Sequence, residues 1–412
     1  MAQRATFRAR WVVPVATPPI ENGFVAVGDD GRVSALGSWD RLSRRDAIDF
    51  GECTLLPGFV NAHTHLELTC YAGQIPPGSL WTWIRRLVEL RAQPGRIDRE
   101  REAVRLGAEL SLRSGVTTVG DISRTHLAWP VLKASPLRKV CFAELLCFAG
   151  EPPRTLEELD ETVRRTQTDE RLAVGLSPHA PYSVTPEQLR GCVERAGRGQ
   201  LPLTMHVAET PEERRLIEDG GGMLYYVFWW QGFLKKCPPP RRPLFEYLAD
   251  AGLFGIPALL AHVNYVEERE LDRLARSPCS VAYCPRAHRF HRHEPHRFRE
   301  MLQRGINVCI GTDSLAGTES LSVLDELRFL HREHADLDPG LLLEMGTLRG
   351  AKALQLDSCI GSIAAGKRAD LVAVPLDAHG PHNPAANLLE SNAPPVAVAV
   401  DGVWLDVPGA EG

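Results

Sequence analysis

The stretch Leu56-Pro57-Gly58-Phe59-Val60-Asn61-Ala62-His63-Thr64-His65-Leu66-Glu67 decides how the chain is read. An apolar run rises to a His-x-His pair, the pattern of a buried strand that delivers two imidazoles at its carboxyl end. Residues two apart on a strand share a face, so His63 and His65 can bind one ion together. Neutral imidazole is the commonest protein ligand for a catalytic divalent metal. The bland alternative is two polar residues at a strand end, and the rest of the chain has to supply the other ligands.

Outward from this stretch, short apolar strands alternate with charged amphipathic helices. Candidate strands end at His65, Asp121, near Leu146, and at His179, Glu209, Asn264, Pro285 and Asp313. Helical stretches lie between them, among them 99–113, 186–195, 267–276 and 321–334. Eight β–α units match a TIM barrel better than an open doubly wound sheet. No Gly-x-Gly-x-x-Gly follows an early strand, so a dinucleotide fold has no support. Upstream, Phe24-Val25-Ala26-Val27 and Val33-Ser34-Ala35-Leu36 flank the turn Gly28-Asp29-Asp30-Gly31-Arg32, a hairpin signal. After Leu356 the text is β-like again. The expected fold is a TIM (β/α)8 barrel over residues 56–356, with a small composite β-sandwich domain formed by the N- and C-terminal segments, 1–55 and 357–412.

Bulk properties narrow the function. The 412 residues are 44% hydrophobic and 24% charged, an ordinary globular balance. A net charge of −5 gives no support to nucleic-acid binding, which wants a basic face. Ten cysteines without a Cys-x-x-Cys pair point to reduced thiols. No apolar run approaches a membrane span, and Trp11-Val12-Val13-Pro14 is too short and Pro-broken for a signal core. A cytoplasmic enzyme with a small-molecule substrate is expected, with no nucleic acid and no membrane partner. The insertion at 220–243, with Tyr225-Tyr226-Val227-Phe228-Trp229-Trp230, reads as a lid, as a subunit contact in a homodimer, or as a surface excursion with its own small core.

The titratable residues cluster at one place. Catalytic groups of a TIM barrel sit at the carboxyl ends of its strands, and here these ends carry His63/His65, His179, His206, His262 and Asp313. Singly each reads as a hydrogen-bonded structural residue; jointly the set is hard to obtain from packing needs. Three imidazoles (His63, His65, His206) and one carboxylate (Asp313) suit zinc or iron(II) with a position left for water. A metal lowers the pKa of that water, Asp313 can take its proton, and Glu209 is the candidate shuttle to a leaving nitrogen. His206 and Glu209 are three apart, so Glu209 must lie where the strand has turned into its loop. His262 can orient the water. The fourth strand ends in His179 and no lysine, which favours one metal ion. Cys279 and Cys284 have four residues between them, unlike the Pro-Cys-x-x-Cys of the other zinc deaminase fold, and read as packing residues.

These residues together resemble the amidohydrolase superfamily. The likeness rests on Pro57-Gly58-Phe59-Val60-Asn61-Ala62-His63-Thr64-His65, His206-Val207-Ala208-Glu209, His262, Gly311-Thr312-Asp313-Ser314 and the returning Gly361–Asp370 stretch, and covers nearly the whole chain. Within it the chain is similar to the aminohydrolase branch: adenosylhomocysteine/methylthioadenosine deaminases, chlorotriazine hydrolases and aminodeoxyfutalosine deaminases. His65-Leu66-Glu67, Trp83-Ile84-Arg85-Arg86, Ser177–Ser183 and Cys284-Pro285-Arg286-Ala287-His288 most resemble the last, which act in menaquinone biosynthesis by the futalosine route. The resemblance implies hydrolytic deamination of an aminopurine nucleoside, first of all 6-amino-6-deoxyfutalosine. The other branch substrates, and smaller rings such as guanine, cytosine or a chlorotriazine, stand as alternatives, and a non-catalytic assembly protein as a remote one. It further implies His63, His65, His206 and Asp313 as ligands of one divalent ion, with Glu209, His262 and Asp313 catalytic. Glu67, Trp83, Arg86, His179, Arg286 and Ser314 are placed toward the substrate, an arginine meeting a carboxylate. For Trp83 and Arg86 an ordinary amphipathic helix face is an equal alternative. The segment 286–297 departs from the family pattern at His291-Arg292, and its charge reads as a solvated loop rather than a second metal site.

Overall fold

The computed structural model describes residues 5–39, 47–124, 126–146, 154–230, 233–235 and 237–405. Its centre is a sheet of eight parallel strands in sequential order: Phe59–Thr64, Val116–Ser123, Arg138–Leu145, Leu172–Pro178, Leu203–Val207, Ala258–His262, Ser280–Tyr283 and Asn307–Ile310. Every residue of the first three strands is buried, as expected where side chains fill the inside and helices cover the outside. The second strand runs two residues beyond Asp121, so that carboxylate is not a strand end. It accepts the Leu66 N–H at 2.8 Å and supports the turn after His65.

The barrel closes between its first and last strands. Thr64 forms a parallel bridge with Asp313, and the N–H groups of Thr312 and Asp313 both donate to the His63 carbonyl at 3.1 Å. The Asn61 amide donates to Thr312 Oγ1 (2.7 Å) and accepts the Thr312 N–H (3.1 Å). The seam is thus pinned by side chains beside the His-x-His pair.

The two ends of the chain build a second, mixed sheet. Ala5–Val12, Ile20–Val27 and Val33–Ser38 form an antiparallel meander, whose 28–32 turn is closed by Gly28 N–H to Arg32 O at 2.9 Å. Cys53–Pro57 joins this sheet, pairing antiparallel with Leu371–Pro375, so Leu56 lies opposite Val372. The chain passes from sheet to barrel at Gly58, where a Cβ would lie 2.1 Å from Thr117 Oγ1; only glycine fits. The barrel therefore opens at Phe59, and the boundary expected at 55/56 falls inside a sheet strand.

A buried ion cluster joins the units. Arg138, at the start of the third barrel strand, bonds Asp370 (3.0 Å) and Asp401 (2.7 Å) of the terminal segment. No helix among the described residues is long and apolar enough to cross a membrane. None of the described cysteines forms a disulfide.

Candidate active site

Three strands leave the barrel through left-handed backbone. Ala208 has φ 51°, His262 φ 70°, Val263 φ 52° and Asp313 φ 57°. Such conformations cost non-glycine residues of order 1 kcal/mol each and tend to persist at functional sites. Here they turn side chains inward over the barrel mouth. The fifth strand illustrates the mechanism: Thr210 caps the helix Pro211–Asp219 with proline at its first turn, and Gly220 (φ 64°) ends it. Glu209 is left in the short bend between strand and helix, which answers the three-residue spacing from His206.

One nitrogen each of His63, His65 and His206 lie within 4.8 Å of one another. The ring centroids of His63 stand 5.1 Å from His65, 5.0 Å from His206 and 5.1 Å from His262. Asp313 Oδ1 is 3.9 Å from His63 Nε2 and 3.7 Å from His65 Nε2. Burial pushes His63, His65 and His262 well below the usual imidazole range and His206 to about 4. Burial thus favours the neutral form of all four, the form that binds a metal. Burial lifts Asp313 to about 6, opposed by the Ser314 N–H on its Oδ1.

The donor set fits a divalent ion. Both ring nitrogens of His63 are buried without a hydrogen-bond partner among the described residues, a cost that a metal would relieve. His206 Nδ1 donates to the His179 carbonyl at 2.9 Å, fixing the ring so that only Nε2 is free to ligate. Glu144, His179 and His206 make a second close group. With Nδ1 occupied and one free lone pair on His206, the two groups cannot each hold an ion through it.

Beside this cluster, Glu209 Oε1 is 3.6 Å from His262 Nε2, which is itself buried without a hydrogen-bond partner among the described residues. Burial, then Asp313 and Glu213, push the Glu209 carboxyl well above the usual carboxylate range. Its protonated form is therefore favoured relative to an exposed carboxyl. His296 Nε2 donates to the His262 carbonyl at 2.8 Å and steadies the turn.

A cavity of about 930 Å³ opens from these groups, large enough for a nucleoside with a substituent. Glu67, Trp83 and His179 line it. Glu67 lies on the turn Leu66–Tyr71 and is held by Ser123 Oγ (3.0 Å) and Arg91 (3.3 Å). The Trp83 indole donates to the Ala316 carbonyl at 2.9 Å. The structure does not bring Arg86, Arg286 or Ser314 to the cavity. Arg86 points outward and pairs with Glu89 at 2.7 Å, while Arg85, one residue and about 100° around the helix, lines the mouth. Arg286 is spent on buried Glu326 (2.8 Å) and the Ser320 carbonyl. Ser314 is fully buried behind Asp313.

Sequence reasoning missed Arg91, Arg124 and Glu144, which also line the cavity. Glu144 carried a usable signal, a carboxylate near the end of an apolar strand, the rule that found His179. Arg91 carried none, because its partners Glu67 and Glu100 lie on other elements, 24 and 9 residues away. From the insertion, the helix Met223–Trp230 sends Leu224 and Phe228 into the cavity wall, and Phe228 stacks on Tyr182 at 5.9 Å. Residues 231, 232 and 236 of the insertion lie outside the described residues. In the 286–297 segment Arg289 and Arg292 are solvated as expected, but the histidines turn inward. A neutral imidazole is a flat ring that packs: His288 lies 5.2 Å from His293, and His296 stacks on Tyr283 at 4.1 Å.

Comparison with known proteins agrees with this architecture. The amidohydrolase family model matches residues 54–405. A 5-methylthioadenosine/S-adenosylhomocysteine deaminase of Moorella thermoacetica is 30% identical over 92% of this chain and 87% of its own length. A 5'-deoxyadenosine deaminase of Methanopyrus kandleri is 29% identical over 90% and 86%. Among solved structures, Helicobacter pylori aminofutalosine deaminase in complex with methylthio-coformycin superposes with a TM-score of 0.84 at 25% identity, over 98% of this chain and 100% of that one. A zinc-bound adenosine deaminase from Xanthomonas campestris shares the fold, with a TM-score of 0.85 at 23% identity over 97% and 92%. The chain belongs to the amidohydrolase family and is a hydrolytic enzyme of it.

Proposed function

We propose that the protein is a metal-dependent deaminase of an aminopurine nucleoside, with 6-amino-6-deoxyfutalosine as the leading substrate. The observation that carries this reading is the buried Glu209 carboxyl, raised in proton affinity and 3.6 Å from His262, beside three converging imidazoles and a roomy cavity. His63, His65, His206 and Asp313 would hold one divalent ion, zinc or iron(II), which when bound polarises the attacking water. The chain's own groups manage the protons. Asp313 takes one from the water and Glu209 delivers one toward the departing nitrogen, so that ammonia leaves and an oxo group replaces the amine. His262 Nε2, without a hydrogen-bond partner among the described residues, orients the water. Trp83 and His179 wall the nucleoside.

Deamination of methylthioadenosine or adenosylhomocysteine is a second reading, favoured by the names of the sequence relatives. An ammonia-release screen of the metal-loaded protein across aminodeoxyfutalosine, adenosylhomocysteine, methylthioadenosine, adenosine, guanine and cytosine separates the two. Release from the free bases alone would overturn the nucleoside assignment. Glu209→Gln is expected to keep the metal and lose at least ~100-fold in kcat, the scale of a positioned general acid; near-wild-type turnover would refute the shuttle role.

A further inference from the structure

The helix after the fifth strand starts in an unusual way. A glutamate three residues beyond the capping residue ordinarily reaches back to that residue's own N–H. Glu213 stands at this position relative to Thr210, and the Thr210 hydroxyl duly accepts the Glu213 N–H at 3.2 Å. The Glu213 carboxylate, however, reaches further. One oxygen accepts the N–H of Ala208 and the other the N–H of Glu209, each at 2.9 Å. Glu213 has no solvent exposure, so these two amides are the built partners of a buried carboxylate.

Both amides belong to the bend that carries Glu209. Ala208 is in the left-handed region, and this aims two successive N–H groups to one side, away from the neighbouring strand and into the Glu213 carboxylate. The following peptide unit is also held: Asn264 Nδ2 donates to the Glu209 carbonyl at 3.1 Å, and Asn264 Oδ1 faces His288 Nδ1 at 3.1 Å. The backbone of Glu209 is therefore gripped from both ends while its side chain lies beside His262. An ordinary cap would have left these amides to solvent or to the ladder. Burial lifts the Glu213 carboxyl itself to about 7, and the charge it carries adds, after burial and Asp313, to what raises the Glu209 carboxyl.

We infer that Glu213 is a positioning residue for Glu209: its carboxylate fixes the 208–209 bend, and through it the place of the Glu209 carboxyl at the reacting site. The inference rests on the proton-shuttle role proposed for Glu209, and two measurements keep it separable from that reading. The first is kinetic, on the metal-loaded full chain with whichever nucleoside the wild type turns over. Glu213→Ala is expected to lower kcat by about 100-fold with KM changed less than about 3-fold. Glu213→Gln, which keeps one acceptor, is expected to fall between, with one metal retained per chain in both. In a Glu209→Gln background, adding Glu213→Ala is expected to change the residual rate less than about 3-fold, because the positioned group is gone. An undiminished kcat, loss of metal, or a full additional loss in the Glu209→Gln background would overturn the assignment. The second measurement needs no substrate: amide exchange at Ala208 and Glu209 is expected to quicken at least 10-fold in Glu213→Gln. Unchanged exchange refutes the clamp even if the chain proves to act on another substrate class. Altered exchange in a protein that deaminates no nucleoside refutes only the proposed function.

Discussion

Removing Arg91 tests whether the cavity's polar wall is held by one cation. Its guanidinium contacts Glu100 (2.8 Å) and Glu67 (3.3 Å), and the three side chains are nearly or fully buried. Glu100 keeps other partners, Arg96 at 3.1 Å and the Tyr71 hydroxyl at 3.0 Å, and the cavity-lining Glu67 loses its 3.3 Å contact with this guanidinium. Breaking a buried pair by deleting one partner costs about 3–5 kcal/mol. The partners left to Glu100 place Arg91→Met near the lower end, about 3 kcal/mol at pH 7.5. Its pH dependence has a definite sign. Burial already raises the Glu100 carboxyl, with Arg91 the largest opposing influence; without Arg91 the folded-state value climbs further above the unfolded one. A carboxyl shifted upward stabilises the fold fully below the unfolded pKa and loses that contribution as pH rises through the folded one. The cost should therefore shrink toward about 1 kcal/mol at pH 5, the share of the lost hydrogen bonds. Urea unfolding followed by tryptophan fluorescence at the two pH values measures it. A cost equal at both, or under about 1 kcal/mol at pH 7.5, would refute the reasoning.

Other outcomes follow from the same structure. Asp370→Ala leaves Arg138 buried with Asp401 as its remaining carboxylate partner, and should cost about 3 kcal/mol in unfolding free energy; an unchanged urea midpoint would show that the cluster does not join the two units. Stripping the metal with a chelator should abolish ammonia release, restored by zinc or iron(II). It should also lower the Tm, since neither nitrogen of His63 has a partner among the described residues. An identical Tm with and without metal would contradict the ligand assignment.

The barrel was legible because burial on both faces writes each parallel strand as a short apolar run, and the helices between them are charged. The hairpin before it was legible from one glycine-rich turn. The histidines stood out because each closes an apolar run, and imidazole is costly to bury without purpose. Arginines offer no such contrast. Arg85 and Arg86 are adjacent in sequence, yet helical geometry sends one to the cavity mouth and the other to solvent. Arg286 reads as a ligand-binding cation until Glu326 is found facing it from a helix forty residues later. The left-handed turns at Ala208, His262 and Asp313 were invisible because none is glycine. The inward histidines of the 286–297 segment were hidden by the arginines between them.

The seam that closes the barrel has a consequence for how the protein comes into being. His63 and Asp313 meet across it, joined by hydrogen bonds from Thr312 and Asp313 to the His63 carbonyl. During synthesis the His-x-His pair emerges long before its partners, and no nascent chain short of residue 313 contains the complete pocket. Contacts this distant in sequence form late in folding. On the proposed ligand set, ion capture would report completion of the whole ring of strands, and metal uptake would serve as a clock for the final step of barrel assembly.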